Sequence, residues 1–410
     1  MTHAPARPLQ TSSRMTQNPS AAIGYFERHA DDFIAIRHRI HHHPELGFEE
    51  FQTSELVAGQ LAQWGYEVHR GLGGTGVVGQ LRRGSGPKRL GLRADMDALP
   101  IQERTGLPYA SGRAGIMHAC GHDGHTAMLL AAARYLAEHG NFSGTLNLIF
   151  QPAEEGGGGA VRMIDDGLFE QYPCDAVFAM HNGPGTPQGH LVFREGPMMA
   201  SSDYVTITLH GKGGHGAEPH HAADPIVAAS SIVMALQTIV SRNVPPLEMA
   251  IVTVGALHAG RANNVIPDSA VLELTVRALK PDVRRLIEQR LQSLVATQAE
   301  SFGVRAEIDY RRGYAVLVNT PAETQFAREV ALELVGPQRV VAEGPPLTAS
   351  EDFSFMLERV PGSYLIIGNG DGEGGCAVHN PGYDFNDRNL PVGAAYWTLL
   401  AERFLAAPAA

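Results

Sequence analysis

Lysine is almost missing from this chain: Lys88, Lys212 and Lys280 are the only three among 410 residues, and no basic run occurs. With a formal net charge of −11, that shortage excludes the broad cationic surface a nucleic-acid partner needs. Long apolar runs are missing too. No stretch reaches the roughly 18 uninterrupted apolar residues that span a bilayer, so no membrane segment is expected. Cysteine is scarce, and Cys120, Cys174 and Cys376 are too scattered for a disulfide framework, which fits a reducing cytoplasm. Residues 1–20 hold Pro, Ser, Thr and Gln without an apolar core. They read as a disordered tail rather than a secretory signal, with Met15 as a second candidate start.

What is present suits a folded protein of two parts. Hydrophobic residues make up 44% and charged residues 18%, a globular composition. The length exceeds what one core usually supports, so two domains are expected. A helix is predicted from Ile23 to His42, stopped by Pro44. Short apolar runs at Arg89–Arg93, Thr145–Phe150 and Ala176–Met180 read as buried parallel strands, with a helix at Thr126–Glu138 between two of them. That alternation predicts an α/β class with an open, mostly parallel sheet, whose ligands bind beyond the carboxyl ends of the strands.

Near Ser201 the pattern changes. A strand at Tyr204–His210, a helix at Pro225–Val240, strands at Met249–Leu257 and Val271–Leu279, a helix at Pro281–Phe302 and a strand at Arg305–Tyr310 spell βαββαβ, an α+β ferredoxin-like unit. The α/β pattern resumes at Ala322–Leu334 and Tyr364–Ile367. Residues 200–313 are therefore expected as an insertion into a catalytic domain formed by 21–199 and 314–410, with short joins near Met199 and Gly313.

The chemistry concentrates in HACGHDGH, His118–His125, where a thiol and three imidazoles fall within eight residues. Cys120 and His122, two apart in an extended turn, can face one ion. A loop of solvated histidines beside a buried cysteine is the structural alternative. QPAEEGGGGA, Gln151–Ala160, sets Glu154 and Glu155 just after a strand, where neighbouring carboxylates point apart and can divide metal binding from proton transfer. A phosphate-cradling loop is the rival there, but the Lys-Ser/Thr ending is absent and two carboxylates repel phosphate. Asp95 and Asp97 close another strand; a carboxylate there can orient a ligating imidazole, though such pairs are also ordinary turn formers. His181 ends the strand at Ala176–Met180, and His379 lies in a polar segment after the strand ending near Ile367. Thiolate, imidazole and carboxylate together suit Zn²⁺ and accept Mn²⁺, Co²⁺ or Ni²⁺. A pair of such ions activates water and polarises a carbonyl, as amide hydrolysis requires.

In order along the chain stand RIHHHPELGFEE (Arg39–Glu50), RADMDALP (Arg93–Pro100), HACGHDGH, QPAEEGGGGA, MHNGP (Met180–Pro184), GKGGHGAEPH (Gly211–His220), NNVIP (Asn263–Pro267), SEDFSFM (Ser350–Met356) and HNPGYDFND (His379–Asp387). In these motifs the chain resembles the aminoacylase and hippurate hydrolase branch of the co-catalytic zinc carboxypeptidase superfamily, over nearly its whole length after the tail. The resemblance implies that Cys120, His122, Glu155, His181 and His379 bind two divalent ions and that Glu154 is the general base. It also implies that the inserted domain is a lid and homodimer surface, bringing His215 over the site to stabilise the oxyanion. Read on its own, GKGGHGAEPH is a flexible loop. Where such relatives often carry a bulky aromatic after Met-His-Asn, this chain has Gly183, a departure that leaves the shape of the adjacent pocket open. An N-acyl amino acid also presents a carboxylate, for which Asn264, Arg277 and His220 are the candidate anchors.

The expected activity is hydrolysis of N-acyl amino acids to a carboxylic acid and a free amino acid, with Glu154, His215 and Asp97 as the catalytic set. A dipeptidase or an N-acetyl-diamino-acid deacetylase is the close alternative on the same residues. From another class, Cys120 activated by His122 or His125 would make a metal-free cysteine hydrolase. A non-catalytic binding protein is the third alternative, against which an intact Glu154 beside a full ligand set speaks.

Overall fold

The computed structural model describes residues 19–406. The tail expected at residues 1–20 lies outside them, apart from Pro19 and Ser20, which open the first helix, Pro19–Arg28. The single helix expected at Ile23–His42 is two: the chain breaks at His29 and resumes at Ala30–His42. Phe26 and Phe33 are buried on either side of the break, their ring centroids 6.2 Å apart, so both helices pack into the same core.

Eight strands form the main sheet, in the order Glu67–Leu72, Gly76–Arg83, Gly144–Gln151, Arg89–Asp95, Ala176–Pro184, Gly362–Gly370, Leu191–Val192, Val340–Val341. Its four central strands, Gly144–Gln151 through Gly362–Gly370, run parallel, while Glu67–Leu72 and Gly76–Arg83 add an antiparallel edge. The parallel strands are buried almost end to end, as strands covered on both faces must be. On one side lie the helices His122–Glu138 and Asn389–Phe404, both nearly all buried. From Arg89–Asp95 the chain passes to Gly144–Gln151 on one side and later to Ala176–Pro184 on the other. That reversal opens a crevice at the carboxyl ends of the strands.

Strands Ser201–His210, Ala250–Ala259, Ser269–Ala278 and Arg305–Arg312 form a separate antiparallel sheet, with Ser201–His210 between Ser269–Ala278 and Arg305–Arg312. Helices Pro225–Thr238 and Pro281–Ser301 cover one of its faces, and their order matches the expected βαββαβ unit. Asp224 caps the first helix, its carboxylate accepting the Ile226 N–H at 2.8 Å. Among the described residues, this helix with its continuation to Asn243 is long and apolar enough to cross a membrane. It nonetheless buries Ala228, Ala229, Ile232 and Leu236 in the core of its own unit, and polar residues such as Ser230, Ser231 and Gln237 interrupt it.

Candidate metal centre

Five segments meet at the crevice. Gly121, with φ 90°, turns the chain into the helix His122–Glu138, and a side chain there would collide with the Asn182 amide and the Tyr383 hydroxyl. His122 is therefore the first residue of a helix, and not part of the extended turn expected with Cys120. The two still share one site: a ligand atom each from Cys120, His122 and His181 lies within 4.8 Å of the others. Cys120, Glu155 and His379 form a second such group, and His122, Glu154 and Glu155 a third. Cys120 Sγ is 3.4 Å from His181 Nε2, and His379 Nε2 is 3.0 Å from Glu155 Oε1. All five expected ligands thus converge.

Their neighbours set which atoms point inward. His181 Nδ1 donates to the Asn182 carbonyl at 2.7 Å, leaving Nε2 toward the cluster. Asp97 faces both ways: Oδ1 is 3.2 Å from His122 Nδ1, and Oδ2 accepts the Glu155 N–H at 2.9 Å. His125 takes no ligand position. Its Nε2 accepts the Asn182 N–H at 3.0 Å, so Nδ1 donates to Asp95 Oδ1 at 2.6 Å. His118 is buried with neither ring nitrogen bonded, and burial pushes it down to about 4. Of the three imidazoles in HACGHDGH, only His122 groups with Cys120, His181 and the Glu154–Glu155 pair; His125 groups with Asp95 and His122 instead.

The electrostatics call for a cation. Burial and then the Glu155 and Glu154 carboxylates push the Cys120 thiol well above its ordinary range. Burial alone would lower His122, but Asp95 and Asp97 lift it to about 10, and its Nε2 is buried without a partner. Burial, followed by Glu351, Glu155 and Asp352, raises Glu154 well above the usual carboxylate range. An orphaned imidazole nitrogen, a thiol and surplus carboxylates are the donor set a divalent ion completes, so these residues fit such an ion.

Behind Glu154 lies a network the sequence reading missed. The Arg93 guanidinium, fully buried, binds Asp95 at 2.7 Å, Glu351 at 2.9 Å, Asp352 at 3.2 Å and Gln151 Oε1 at 2.9 Å. Its signals stood in RADMDALP and SEDFSFM, but their pairing across 258 residues is a tertiary fact. Glu154 Oε1 accepts the Asp352 N–H at 3.4 Å.

The cluster sits in a cleft of about 820 Å³. Cys120, Glu154, Glu155, His181 and His379 line it at one end, and Val192, Met198, Met199, Leu347 and Ile366 give it an apolar wall. At Gly183 a Cβ would lie 2.3 Å from Ile366 Cγ2, so the space a side chain would occupy belongs to Ile366. Arg277 also lines the cleft, held by Ser350 Oγ at 2.8 Å. His215, Asn264 and His220 do not line it. All three are exposed on the inserted unit, where Gly214–His215 pairs with Val265–Ile266 and His215 Nδ1 accepts the Ala217 N–H at 3.0 Å. The segment expected as a flexible loop is thus a short paired ribbon.

The family model for peptidase family M20/M25/M40 matches residues 91–403. The chain is 48% identical over 374 residues to a hippurate hydrolase of Campylobacter jejuni, covering 91% of this chain and 97% of that one. It is 41% identical over 369 residues to an N-acetyl-L-cysteine deacetylase of Bacillus subtilis, with 89% and 86% covered. The solved structure of a dinuclear metal-binding M20 peptidase from Bacillus subtilis superposes with a TM-score of 0.81 at 32% identity, over 92% of this chain and 99% of that one. Taken with the thiol, imidazole and carboxylate groups gathered in the crevice, these matches show that the chain belongs to peptidase family M20/M25/M40.

Proposed function

We propose that this protein hydrolyses the amide bond of N-acyl amino acids, R-CO-NH-CH(R′)-COO⁻, giving a carboxylic acid and a free amino acid. The observation that carries this reading is the single cleft in which a Cys-His-Glu donor cluster, the buried Glu154 and an apolar wall with Arg277 face one another. The activities named for the two hydrolytic relatives, on a benzoylated and on an acetylated amino acid, support the substrate class.

Cys120, His122, Glu155, His181 and His379 would hold two divalent ions, zinc or manganese by donor chemistry, with cobalt or nickel compatible. Bound there, such ions acidify a water and polarise the scissile carbonyl. Glu154 takes a proton from the attacking water and delivers it to the leaving amine; its proton affinity, raised by burial beside Glu351, suits both transfers. Asp97 orients His122 and the Glu155 backbone and does not line the cleft, so its part is positioning. Arg277 anchors the substrate carboxylate, with Asn264 and His220 as further candidates from the inserted unit. His215 steadies the oxyanion once that unit closes over the cleft.

This reading divides the chain into a catalytic part, residues 21–199 and 314–410, and an inserted lid, 200–313, through which two copies pair. The three free thiols suit a reducing cytoplasm. Assaying hippurate, N-acetyl amino acids and dipeptides side by side, before and after exhaustive chelation, tests the proposal. Cleavage of the acylated substrates that vanishes on chelation and returns with metal is expected. Cleavage of free-amine dipeptides alone would move the enzyme to the dipeptidases, and activity that survived chelation but not thiol alkylation would make Cys120 a nucleophile.

A further inference from the structure

The loop that carries Glu154 and Glu155 is held under strain from several sides. Ala153 adopts φ 50°, a left-handed conformation that costs an L-residue about 1 kcal/mol or more and persists only where surroundings enforce it. Glu50 accepts the Ala153 N–H at 2.8 Å, Ala153 O accepts the Gly159 N–H at 3.1 Å, and Asp97 accepts the Glu155 N–H. A further tether of this loop comes from the join to the inserted unit. The Tyr314 hydroxyl donates to the Glu154 backbone carbonyl and accepts the Gly158 N–H at 3.2 Å.

Tyr314 stands where the chain leaves the inserted sheet, two residues after the strand Arg305–Arg312. The outgoing and incoming chains are locked together there. Gly313 N–H donates to Ser202 O at 2.9 Å, Ser202 N–H to Tyr314 O at 3.1 Å, and Tyr314 N–H to Ser202 Oγ at 3.2 Å. The fully buried Asp203 adds Arg284 at 3.0 Å and the Tyr310 hydroxyl at 2.8 Å. The join is therefore a stiff block, and the Tyr314 ring, edge-on to Phe355 at 6.1 Å between centroids, projects from it into the cleft lining.

We infer that Tyr314 is a positioning residue that couples the inserted unit to the proton-transferring carboxylate: its phenol pins the Glu154 backbone to the join, so the placement of that unit sets where the Glu154 carboxylate lies. The inference rests on the role proposed for Glu154. It accounts for a hydroxyl that serves both a carbonyl and an amide of one loop, an arrangement that packing alone does not require. It also gives the inserted unit a direct link to the Glu154 backbone, beside the contact of Arg277 with Ser350.

Tyr314→Phe tests this, because it keeps the ring and its contact with Phe355 and removes the hydroxyl alone. The expected result is a kcat lower by about tenfold, the rate equivalent of roughly one hydrogen bond, with KM within about twofold of the parent and metal content unchanged. Amide exchange in the Glu154–Gly159 segment should quicken in the same variant. A kcat and an exchange rate both indistinguishable from the parent would overturn the inference. Should the parent cleave no N-acyl amino acid, the functional reading fails, while the exchange comparison still decides whether Tyr314 holds the loop.

Discussion

Arg37 shows how much charge this protein buries to hold one loop. Its guanidinium is fully buried and meets Asp384 at 2.7 Å, Asp387 at 2.9 Å and Asp123 at 3.3 Å, while His41 Nδ1 lies 2.8 Å from the same Asp123. Asp123 directly follows His122, and Asp384 follows His379 by five residues, so these ion pairs brace the ligand-bearing segments from behind. Removing one partner of the fully buried Arg37–Asp123 pair would cost about 3–5 kcal/mol. Burial alone would lower His41, but hydrogen bonding to Asp123 raises it to about 9. An imidazole whose folded pKa exceeds its unfolded value of about 6.5 stabilises the fold fully below that pH and loses the contribution as pH climbs through 9. We predict that the stability gap between the parent and His41→Gln is widest near pH 6, on the order of 3 kcal/mol, and narrows by pH 9.5. Urea melts at the two pH values measure it; a constant gap would mean that His41 is not charged in the fold.

At the scale of elements, the helix Pro225–Thr238 presents two different faces. Ala228, Ala229, Ile232 and Leu236 are buried in the core of the inserted unit, whereas Ile226, Val227 and Met234 face outward, Met234 being 71% exposed. Beside it the strand Ala250–Ala259 is an edge with unpaired backbone groups. An apolar helix face beside an open strand edge is what a second copy would cover in an isologous contact. Sedimentation of the parent is expected to give a dimer and that of Met234→Asp a monomer; a parent that sediments as a monomer at micromolar concentration would remove the pairing. The elements themselves were readable unevenly. The buried strands Arg89–Asp95 and Gly144–Gln151 announce themselves as apolar runs, and the βαββαβ unit by its alternation of periods. The break at His29 and the two-residue strands Leu191–Val192 and Val340–Val341 exist only because distant segments pair or pack, and no local pattern records that.

In the molecule as a whole, the crevice follows from the strand order, and the proposed ligands from where the strands end. Cys120, His122, Glu155 and His181 were legible because each falls at or beside the carboxyl edge of a parallel sheet; His379 was readable mainly through resemblance, since its segment has no such signal. Arg93, Glu351 and Asp352 were not legible as a unit, because what makes them matter is burial against one another across two-thirds of the chain, and Tyr314 because its hydroxyl meets a loop some 160 residues away. The same geometry gives two adjacent carboxylates different partners: both lie in one group with His122, but of the two Glu155 reaches His379 and Cys120, and Glu154 reaches Glu351 and Asp352. That difference is the centre of the account. The most direct test is metal content and turnover measured together on Glu154→Gln and Glu155→Gln. Glu154→Gln is predicted to keep its full complement of divalent ions and lose about 10²- to 10⁴-fold in kcat, while Glu155→Gln loses metal itself. A Glu154→Gln protein that turned over at the parent rate, or that lost metal as Glu155→Gln does, would contradict the division of labour.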